Sequence, residues 1–299
     1  MAAFTGDLAI SCQGLTKDFG GGCGVFDLDL DVRRGEVFGF VGPNGAGKTT
    51  TLRLLMDLIR PTRGSASLLA LDTHRDAIEC KRRSGYLAGE LPQFPRMRVE
   101  YIIELMSNLR GGVDRAHANA LAERLQLDLS REYEELSHGN KQKVALMLAF
   151  MHRPELLLLD EPTLGLDPLM QQEFRRMVQE AAANGATVLL SSHVLGEVES
   201  VCDRICLIRA GRALRVGTMD ELRQVRAHRV QAVIAEGIDI TPLTSMPGVS
   251  DPLLVGAALT CSVHGSIAAL VAWLATAGVQ ELDIREMSLE EVFLEEFGA

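Results

Sequence analysis

A glycine-rich stretch, GPNGAGKTT at Gly42–Thr50, carries the residue types that hold the phosphates of a nucleoside triphosphate. It matches the pattern G-x-x-x-x-G-K-[ST], with a strand pattern (VFGFV) before it and a helical pattern after it. Glycines allow backbone N–H groups to turn inward around phosphate oxygens, and the helix N-terminus adds its positive dipole end. In such a loop Lys48 reaches the β- and γ-phosphates and Thr49 binds Mg²⁺. The predicted phosphate-binding residues are Gly42, Pro43, Asn44, Gly45, Ala46, Gly47, Lys48, Thr49 and Thr50.

Two adjacent carboxylates, Asp160 and Glu161, follow an apolar run of four leucines. In an open α/β sheet, ligands bind at the carboxyl ends of the strands, so both side chains are candidates for the same site. Asp160 can hold Mg²⁺ directly or through water, and Glu161 can orient or deprotonate an attacking water. An acidic residue at a helix N-terminus is the alternative for this pattern alone. The phosphate loop upstream favours the catalytic interpretation.

Two further stretches place polar side chains beside apolar runs. His193 follows the strand pattern ATVLLSS, where it can contact the γ-phosphate or the water, although a single histidine is more often structural. The stretch LSHGNKQ at 136–142 joins a polar loop to an apolar helical run. It has neither metal-ligand spacing nor a nucleophile with a base, so the pattern by itself assigns no chemistry to Ser137, Gly139 or Asn140.

The elements that must position these residues alternate between strands and helices. VFGFV, ELLLLD and ATVLLSS are continuous apolar runs, typical of strands buried on both faces, and the alternating FDLDLDV predicts a half-buried strand. A helix begins after Lys48 and is ended by Pro61, residues 91–149 are mainly helical, and a further helix spans about 169–183. Strands that alternate with helices predict a mostly parallel sheet.

The pattern changes beyond about Arg226, which predicts a domain boundary there. Before it, RICLIRAGRALRVG predicts a hairpin that turns at Ala210–Gly211, and TMDE predicts a capped helix start. After it come a strand (RVQAVIA), a proline-containing loop, a strand–helix–strand segment (LTCSV, SIAALVAWLATAG, VQELDI) and a last helix, SLEEVFLEEF. The predicted domains are therefore 1–225 and a small α/β domain at 226–299.

The composition limits the classes of function. A formal net charge of −10 and a pI of about 5.3 disfavour nucleic acid as a partner, because such binding depends on Lys and Arg. Six cysteines without a C-x-x-C pair indicate free buried thiols, and the N-terminal segment lacks signal-peptide features, so a cytosolic compartment is expected. The uncharged segment between Asp251 and Glu281 is long enough to span a bilayer, but its Pro, Gly, His and hydroxyl residues favour a folded core.

Five motifs in a fixed order, over about residues 8–225, together resemble the ATP-binding subunits of ABC transporters. They are Gly42–Thr50, Leu136–Gln142, Asp160–Glu161, Leu164–Asp167 and His193. The resemblance implies an α/β fold, a P-loop NTPase of the ABC type with a helical subdomain at about 91–149, and ATP with Mg²⁺ as ligands. The C-terminal part, ending MSLEEVFLEEFGA, is similar to the extension of the ABC-2-type subfamily, which exports drugs and lipids.

In this family the loop corresponding to Leu136–Gln142 binds ATP held by a second subunit. The resemblance therefore implies that Ser137 and Gly139 contact the γ-phosphate across a head-to-tail homodimer, at a helix N-terminus. Asp167 resembles the loop that communicates between the two sites. Phe19 stands where the family stacks an aromatic ring on adenine, and an ordinary core phenylalanine is the alternative. The catalytic positions implied are Glu161, His193 and Lys48, with Thr49 and Asp160 as metal ligands.

The sequence departs from the family pattern in three motifs. Where LSGGQ is usual, His138 replaces the second glycine and Asn140 the glutamine, but the serine and the other glycine are kept, so ATP binding across the dimer is expected. Gly89 occupies the position of the loop glutamine that links Mg²⁺ to the membrane partner. Glu90, beside it, is a candidate to replace that glutamine as a metal ligand. Leu164 stands where serine or asparagine is commoner.

These observations predict the ATP-hydrolysing subunit of an ABC exporter, which dimerises around Mg-ATP to power separate ABC-2-type permease subunits. The chain shows no convincing transmembrane pattern, so the permease is expected in another chain, with this subunit peripheral at the inner face of the cell membrane. One alternative is a soluble ABC ATPase of ribosomes or DNA-repair complexes, disfavoured by the single phosphate loop and the acidic charge. Another is a nucleotide-binding regulatory or immunity-type subunit that hydrolyses ATP slowly or not at all, which the altered signature and the missing glutamine favour.

Overall fold

The computed structural model describes residues 7–219, 221, 227–235 and 237–287. Contacts divide the chain into two compact units, Met1–Thr218 and Met219–Ala299. The division lies a few residues before the boundary predicted at 225/226. The assignment of 91–149 as a separate helical subdomain stays a prediction.

The first unit is built from ten strands, seven α-helices and one 3₁₀-helix (Tyr133–Glu135) in its described part. Its strands are β1 (Leu8–Asp18), β2 (Gly24–Arg33), β3 (Val37–Val41), β4 (Arg63–Leu68), β5 (Leu71–Asp72), β6 (Ser84–Leu87), β7 (Leu156–Asp160), β8 (Thr187–Ser192), β9 (Arg204–Arg209) and β10 (Arg212–Thr218). Its helices are α1 (Lys48–Leu55), α2 (Ala77–Arg83), α3 (Val99–Leu109), α4 (Arg115–Arg124), α5 (His138–Phe150), α6 (Pro168–Ala183) and α7 (Leu195–Glu199).

A six-stranded sheet of order β10-β9-β3-β8-β7-β6 confirms the predicted, mostly parallel arrangement. Strands β6, β7, β8, β3 and β9 run parallel, and β10 pairs antiparallel with β9 in the predicted hairpin. Every residue of β3, β7 and β8 is buried, as expected for strands covered on both faces. Because these three strands are parallel neighbours, the residues after their carboxyl ends lie at one edge of the sheet. Those residues are Gly42, Glu161 and His193.

An antiparallel sheet of order β2-β1-β4-β5 was largely missed by the sequence analysis, which predicted only part of β2. Strand β1 changes register against β2 between Cys12 and Leu15 and again before Lys17. Such bulges interrupt the two-residue alternation that identifies a half-buried strand. The predicted alternation in β2 is confirmed, with Leu28, Leu30 and Val32 buried between exposed aspartates.

The core of this unit joins both sheets and the helix that follows the phosphate loop. It contains Ile10 and Leu28 from the antiparallel sheet, Phe38 from the parallel sheet, and Leu52 and Leu55 from α1. Fully burying a side chain of this size contributes roughly 1.5–3 kcal/mol. Helix α1 ends at Leu55, earlier than the predicted stop at Pro61. Its end is marked by Asp57, whose φ of 50° leaves the helical region.

The second unit contains an antiparallel sheet of order β12-β13-β11-β14. Its elements are β11 (Ala227–Val233), α8 (Thr241–Thr244), β12 (Val249–Val255), β13 (Ala258–His264), α9 (Ala268–Thr276) and β14 (Glu281–Glu286). The predicted strand–helix–strand segment is confirmed, and its core includes Leu259, Val263, Leu270 and Leu274. Strand β12, however, was missed.

Pro252 accounts for the missed strand β12. A proline in the sequence argues against a strand, because it has no backbone N–H to donate to a neighbouring strand. Here Pro252 lies in an edge strand, at a register shift between Ser250 and Leu253, where that hydrogen bond is not needed. The predicted last helix, at 288–297, lies outside the described residues, as does most of the helix predicted from Thr218. None of the helices described is both long and apolar enough to span a bilayer.

Candidate nucleotide site

The phosphate loop connects the end of β3 to the start of α1. Gly42 has no room for a side chain, because a Cβ there would overlap the carbonyl oxygen of Ile208. Gly47, at the N-cap of α1, has a φ of 109°, which L-residues with a side chain rarely adopt. Pro43, Asn44 and Gly45 are exposed between them. The loop thus presents its backbone and the N-terminus of α1 to solvent, as phosphate binding requires.

Lys48 lies inside this loop and is only 6% exposed. Its Nζ donates to the carbonyl oxygen of Gly42 at 2.6 Å and to that of Pro43 at 3.3 Å. It also forms an ion pair with Glu161 Oε1 at 3.2 Å. A buried ammonium needs such partners, because burying an unpaired charge is costly.

Glu161 links the lysine to the predicted histidine. Its second oxygen, Oε2, lies 2.8 Å from Nδ1 of His193, so the three side chains form a chain Lys48–Glu161–His193. The Glu161 side chain is 17% exposed and that of His193 is 41% exposed. The three contacting side chains therefore extend from the interior to the surface. Glu161 has a φ of 47°, a left-handed conformation that is uncommon for a residue with a side chain. Such strained positions cluster at functional sites.

Asp160 is completely buried at the end of β7. Its Oδ1 accepts a hydrogen bond from Ser191 Oγ at 2.6 Å, and the same Oγ accepts one from the Glu161 N–H at 3.1 Å. Its Oδ2 has no hydrogen-bond partner among the described residues. Burial, with the nearby Asp160 carboxylate adding to it, raises the pKa of Tyr86 to about 12. The Asp160 carboxylate is thus held through Oδ1, while Oδ2 is left without a protein partner among the described residues.

This arrangement fits a divalent cation. A buried carboxylate oxygen without a partner is costly unless a cation or donor meets it, and Mg²⁺ prefers a few carboxylate or hydroxyl ligands completed by phosphate and water. Thr49, half-buried at the start of α1, supplies a hydroxyl of the required type. The described residues contain no cluster of three His, Cys, Asp or Glu side chains that would form a complete protein cage. The donor set thus suits a metal that arrives with a phosphate ligand.

The loop at 136–142 is held by a separate set of contacts. Ser137 is exposed and caps α5, its Oγ accepting from the N–H of Asn140 at 3.4 Å. A Cβ on Gly139 would lie 2.6 Å from the carbonyl oxygen of Gly165, and a Cβ on Gly165 would lie 2.7 Å from the ring of His138. The loop therefore packs closely on the turn at 164–167. The end of that turn, Asp167, caps α6 by accepting from the N–H of Met170 at 3.0 Å.

Two residues of the site were not singled out by the sequence analysis. Gln142 is 3% exposed, and its Nε2 donates to the carbonyl oxygens of Glu161 at 3.3 Å and Pro162 at 3.0 Å, so it ties α5 to the end of β7. Ser191 orients Asp160 as described above. The one sequence signal for Ser191 was its place in a pair of serines that ends an apolar strand directly before His193.

Phe19 and Glu90 lie at the surface. Phe19 is 58% exposed, with the Lys17 ammonium 5.3 Å from its ring centroid, so the alternative of a core phenylalanine is wrong and the adenine contact stays a prediction. The side chain of Glu90 is 89% exposed and pairs with Arg53 at 3.3 Å. Its role as a metal ligand stays a prediction.

The fold and this site define a P-loop nucleotide-binding domain. The model of the ABC transporter family matches residues 25–164. The daunorubicin resistance ATP-binding protein DrrA3 of Streptomyces coeruleorubidus is 35% identical over 302 residues, covering 96% of this chain and 95% of that protein. The probable multidrug ABC transporter ATP-binding protein YbhF of Escherichia coli (strain K12) is 35% identical over 231 residues, which cover 76% of this chain. This chain spans 40% of the length of YbhF.

Among solved structures, an ATP-binding subunit of an ABC transporter is 30% identical, with a TM-score of 0.67 over 72% of this chain and 92% of that one. The chain belongs to the family of ATP-binding proteins of ABC transporters. The predicted family and the predicted fold are both confirmed.

Proposed function

We propose that this chain hydrolyses ATP as a subunit of an ABC exporter and powers membrane permease subunits that are separate chains. The observation that carries the proposal is the chain Lys48–Glu161–His193 directly beside the phosphate loop. It joins a phosphate-binding cation, a carboxylate that can act as a base and a histidine that can orient it. A site built only to bind nucleotide has no need of the last two.

ATP binding uses the backbone of Gly42–Thr50 and the N-terminus of α1. Lys48 donates to the β- and γ-phosphate oxygens, exchanging its Glu161 contact for them. The Glu161 carboxylate is then free to accept a proton from the attacking water, and His193 Nδ1 holds it in place. General-base catalysis of this kind contributes typically about 10²–10⁴ in rate.

Asp160 and Thr49 are the residues that would hold Mg²⁺. When bound, the cation neutralises the charge on the β- and γ-phosphate oxygens. Ser191 keeps Asp160 in position, since its Oγ donates to Oδ1 and leaves Oδ2 available. The Oγ of Ser191 also accepts a hydrogen bond from the Glu161 N–H. One hydroxyl therefore positions both the side chain of Asp160 and the backbone of Glu161.

Ser137 and Gly139 act on the nucleotide of a second copy of this chain. Ser137 is exposed at the N-terminus of α5, where its hydroxyl and the free N–H groups of the first turn can meet a γ-phosphate. Because Gly139 and His138 pack on Gly165, the loop at 136–142 and the turn at 164–167 meet the partner as one surface. Two composite sites form in a head-to-tail homodimer.

DrrA3 is named as a daunorubicin resistance ATP-binding protein and aligns with this chain over 95% of its length. This similarity supports a role in the export of drug-like molecules. On this proposal the permease is of the ABC-2 type, and this chain lies at the inner face of the cell membrane through that partner. The transported substrate binds the permease.

Purification of the tagged chain from its native membranes in mild detergent tests this proposal. We expect a polytopic membrane protein in roughly stoichiometric amount, together with Mg²⁺-dependent ATPase activity of the complex. Recovery of soluble or ribosomal partners alone, from a chain absent from membranes, would contradict the exporter role. A complex without ATPase activity would contradict the catalytic assignment.

A further inference from the structure

Gly89, which stands where the family carries a glutamine, lies directly against the metal carboxylate. A Cβ at this position would be 2.7 Å from Asp160 Oδ2 and 3.1 Å from its Cγ. The φ of Gly89 lies outside the left-handed region, so glycine is not needed here for its backbone conformation. It is needed because the backbone of the loop after β6, residues 88–93, passes against Asp160.

Asp160 cannot move away without disturbing the rest of the site. Its Oδ1 is held by Ser191 at 2.6 Å, and Ser191 Oγ also accepts from the Glu161 N–H at 3.1 Å. A side chain on Gly89 would therefore displace the carboxylate and, through Ser191, the backbone of Glu161. The oxygen nearest to that side chain is Oδ2, the one that no described residue satisfies.

Arg53 and Glu90 connect this loop to α1, the helix that follows the phosphate loop. Arg53 Nη2 and Glu90 Oε2 are 3.3 Å apart, and their side chains are 37% and 89% exposed. Ion pairs this exposed contribute little to stability, so a role for this pair would lie in orienting the loop. It joins α1, whose first residues are Lys48 and Thr49, to the residue that follows Gly89.

We propose that Gly89, because it lacks a Cβ, lets Asp160 keep the position in which its Oδ2 can bind the divalent cation carried with ATP, and that Arg53 and Glu90 are positioning residues that hold the loop there. Reinstating the glutamine of the family pattern would then impair this protein. On this inference Glu90 contributes through Arg53 instead of binding the metal itself. This inference rests on the proposed function of the site.

The test compares Gly89→Gln with the matched variant Gly196→Gln in the full-length chain. Gly196 is exposed, has no left-handed φ, and a Cβ there would meet nothing within 4 Å. Affinity for a fluorescent ATP analogue is titrated with and without Mg²⁺, and Mn²⁺ binding in the presence of ATP is followed by electron paramagnetic resonance. For Gly89→Gln we expect the affinity for Mn²⁺ to fall at least about tenfold. The factor by which Mg²⁺ raises the affinity for the ATP analogue should fall by a similar amount. Metal-free nucleotide binding should stay within about threefold of the wild type, and Gly196→Gln should match the wild type throughout.

Equal or tighter metal binding by Gly89→Gln would overturn the inference. If thermal unfolding shows that this variant does not fold, Gly89→Ala decides by the same titrations, with a smaller loss expected because only one carbon is added. Arg53→Glu and Glu90→Arg should each weaken Mn²⁺ binding about threefold, and the double exchange should restore it. Failure of the double exchange to restore binding would remove the role assigned to the pair. If the wild-type protein itself gains no affinity from Mg²⁺, the proposed function of the site fails instead.

Discussion

Glu161 illustrates how much chemistry depends on one residue here. One of its oxygens meets a buried lysine, the other meets a histidine, and its backbone N–H is held by Ser191. Its left-handed φ turns the chain directly after β7, so that Asp160 faces the interior and Glu161 faces Lys48 and His193. On the proposed function, two adjacent carboxylates receive different tasks, because one is completely buried and the other is partly exposed.

Replacing Glu161 with Gln should separate binding from hydrolysis. The amide keeps the size of the side chain but cannot accept the proton of the attacking water, so we expect turnover to fall at least about 10²-fold. ATP affinity should be kept, because Lys48 loses a competing carboxylate. Steady-state phosphate release and titration with a fluorescent ATP analogue measure the two effects.

Glu104→Gln is the matched control for this substitution. Glu104 is an exposed residue of α3, so the same change of charge there should leave turnover unchanged. Equal turnover by the Glu161→Gln and wild-type proteins would rule out Glu161 as the base.

At the scale of elements, a half-buried histidine connects the segment after α5 to the start of β6. Nε2 of His152 lies 3.2 Å from the Ser84 carbonyl oxygen, and its Nδ1 has no hydrogen-bond partner among the described residues. Arg110, which follows α3, approaches the same carbonyl at 3.4 Å. Burial, with the charge of Arg110 adding to it, lowers the pKa of His152 from 6.5 to about 4.

This depressed pKa makes stability depend on pH in a defined window. An unfolded histidine takes up a proton near pH 6.5, whereas folded His152 does so only near pH 4. The neutral form therefore contributes stability above pH 6.5 that is lost as the pH falls from 6.5 towards 4. Between pH 7 and pH 4.5 the free energy of unfolding should fall by about 1–3 kcal/mol less in His152→Gln than in the wild type. Urea unfolding at the two pH values measures this difference.

The control is His74→Gln, a change at a histidine whose side chain is 60% exposed. The difference in unfolding free energy between pH 7 and pH 4.5 is measured for this variant alongside His152→Gln and the wild type. An unchanged pH dependence in His152→Gln would mean that this histidine titrates alike in the folded and unfolded states.

At the scale of the whole molecule, the site of one chain is incomplete for the proposed mechanism. The loop at 136–142 packs on the turn at 164–167 and presents an exposed serine and the N-terminus of α5. On the proposed function this surface closes on the ATP of a second copy. Nucleotide would then control the association of two chains.

Adding Ser137→Glu to the Glu161→Gln protein should abolish ATP-dependent dimers. We expect the Glu161→Gln protein to dimerise with ATP, since it binds without hydrolysing, and the double variant to remain monomeric because its carboxylate would face a γ-phosphate. Sedimentation velocity with and without ATP measures the change, and ATP affinity of the monomer should be unaffected.

Ser130→Glu serves as the comparison, because it places the same charge on an exposed serine outside this loop. Its dimers should form normally in the Glu161→Gln background. ATP-dependent dimers of the Ser137→Glu double variant, formed at the same concentration, would exclude Ser137 from the interface.

The amino-acid sequence determined the features that depend on neighbours along the chain. Gly42–Thr50, the carboxylates after β7 and the histidine after β8 could be predicted as site residues because a nucleotide site of this kind is built from short segments at strand ends. The parallel sheet followed from continuous apolar runs that alternate with helical patterns. The order of the motifs then sufficed to indicate the family.

Only the tertiary structure decided which side chains meet. The chain Lys48–Glu161–His193 unites residues separated by more than a hundred positions, and the contact of Gly89 with Asp160 depends on the pairing of β6 with β7. The antiparallel sheet escaped prediction because the bulges in β1 break its periodicity, and such pairing is set by long-range register. Local pattern specifies which residues a segment can offer, whereas packing between distant segments specifies the distances on which their chemistry depends.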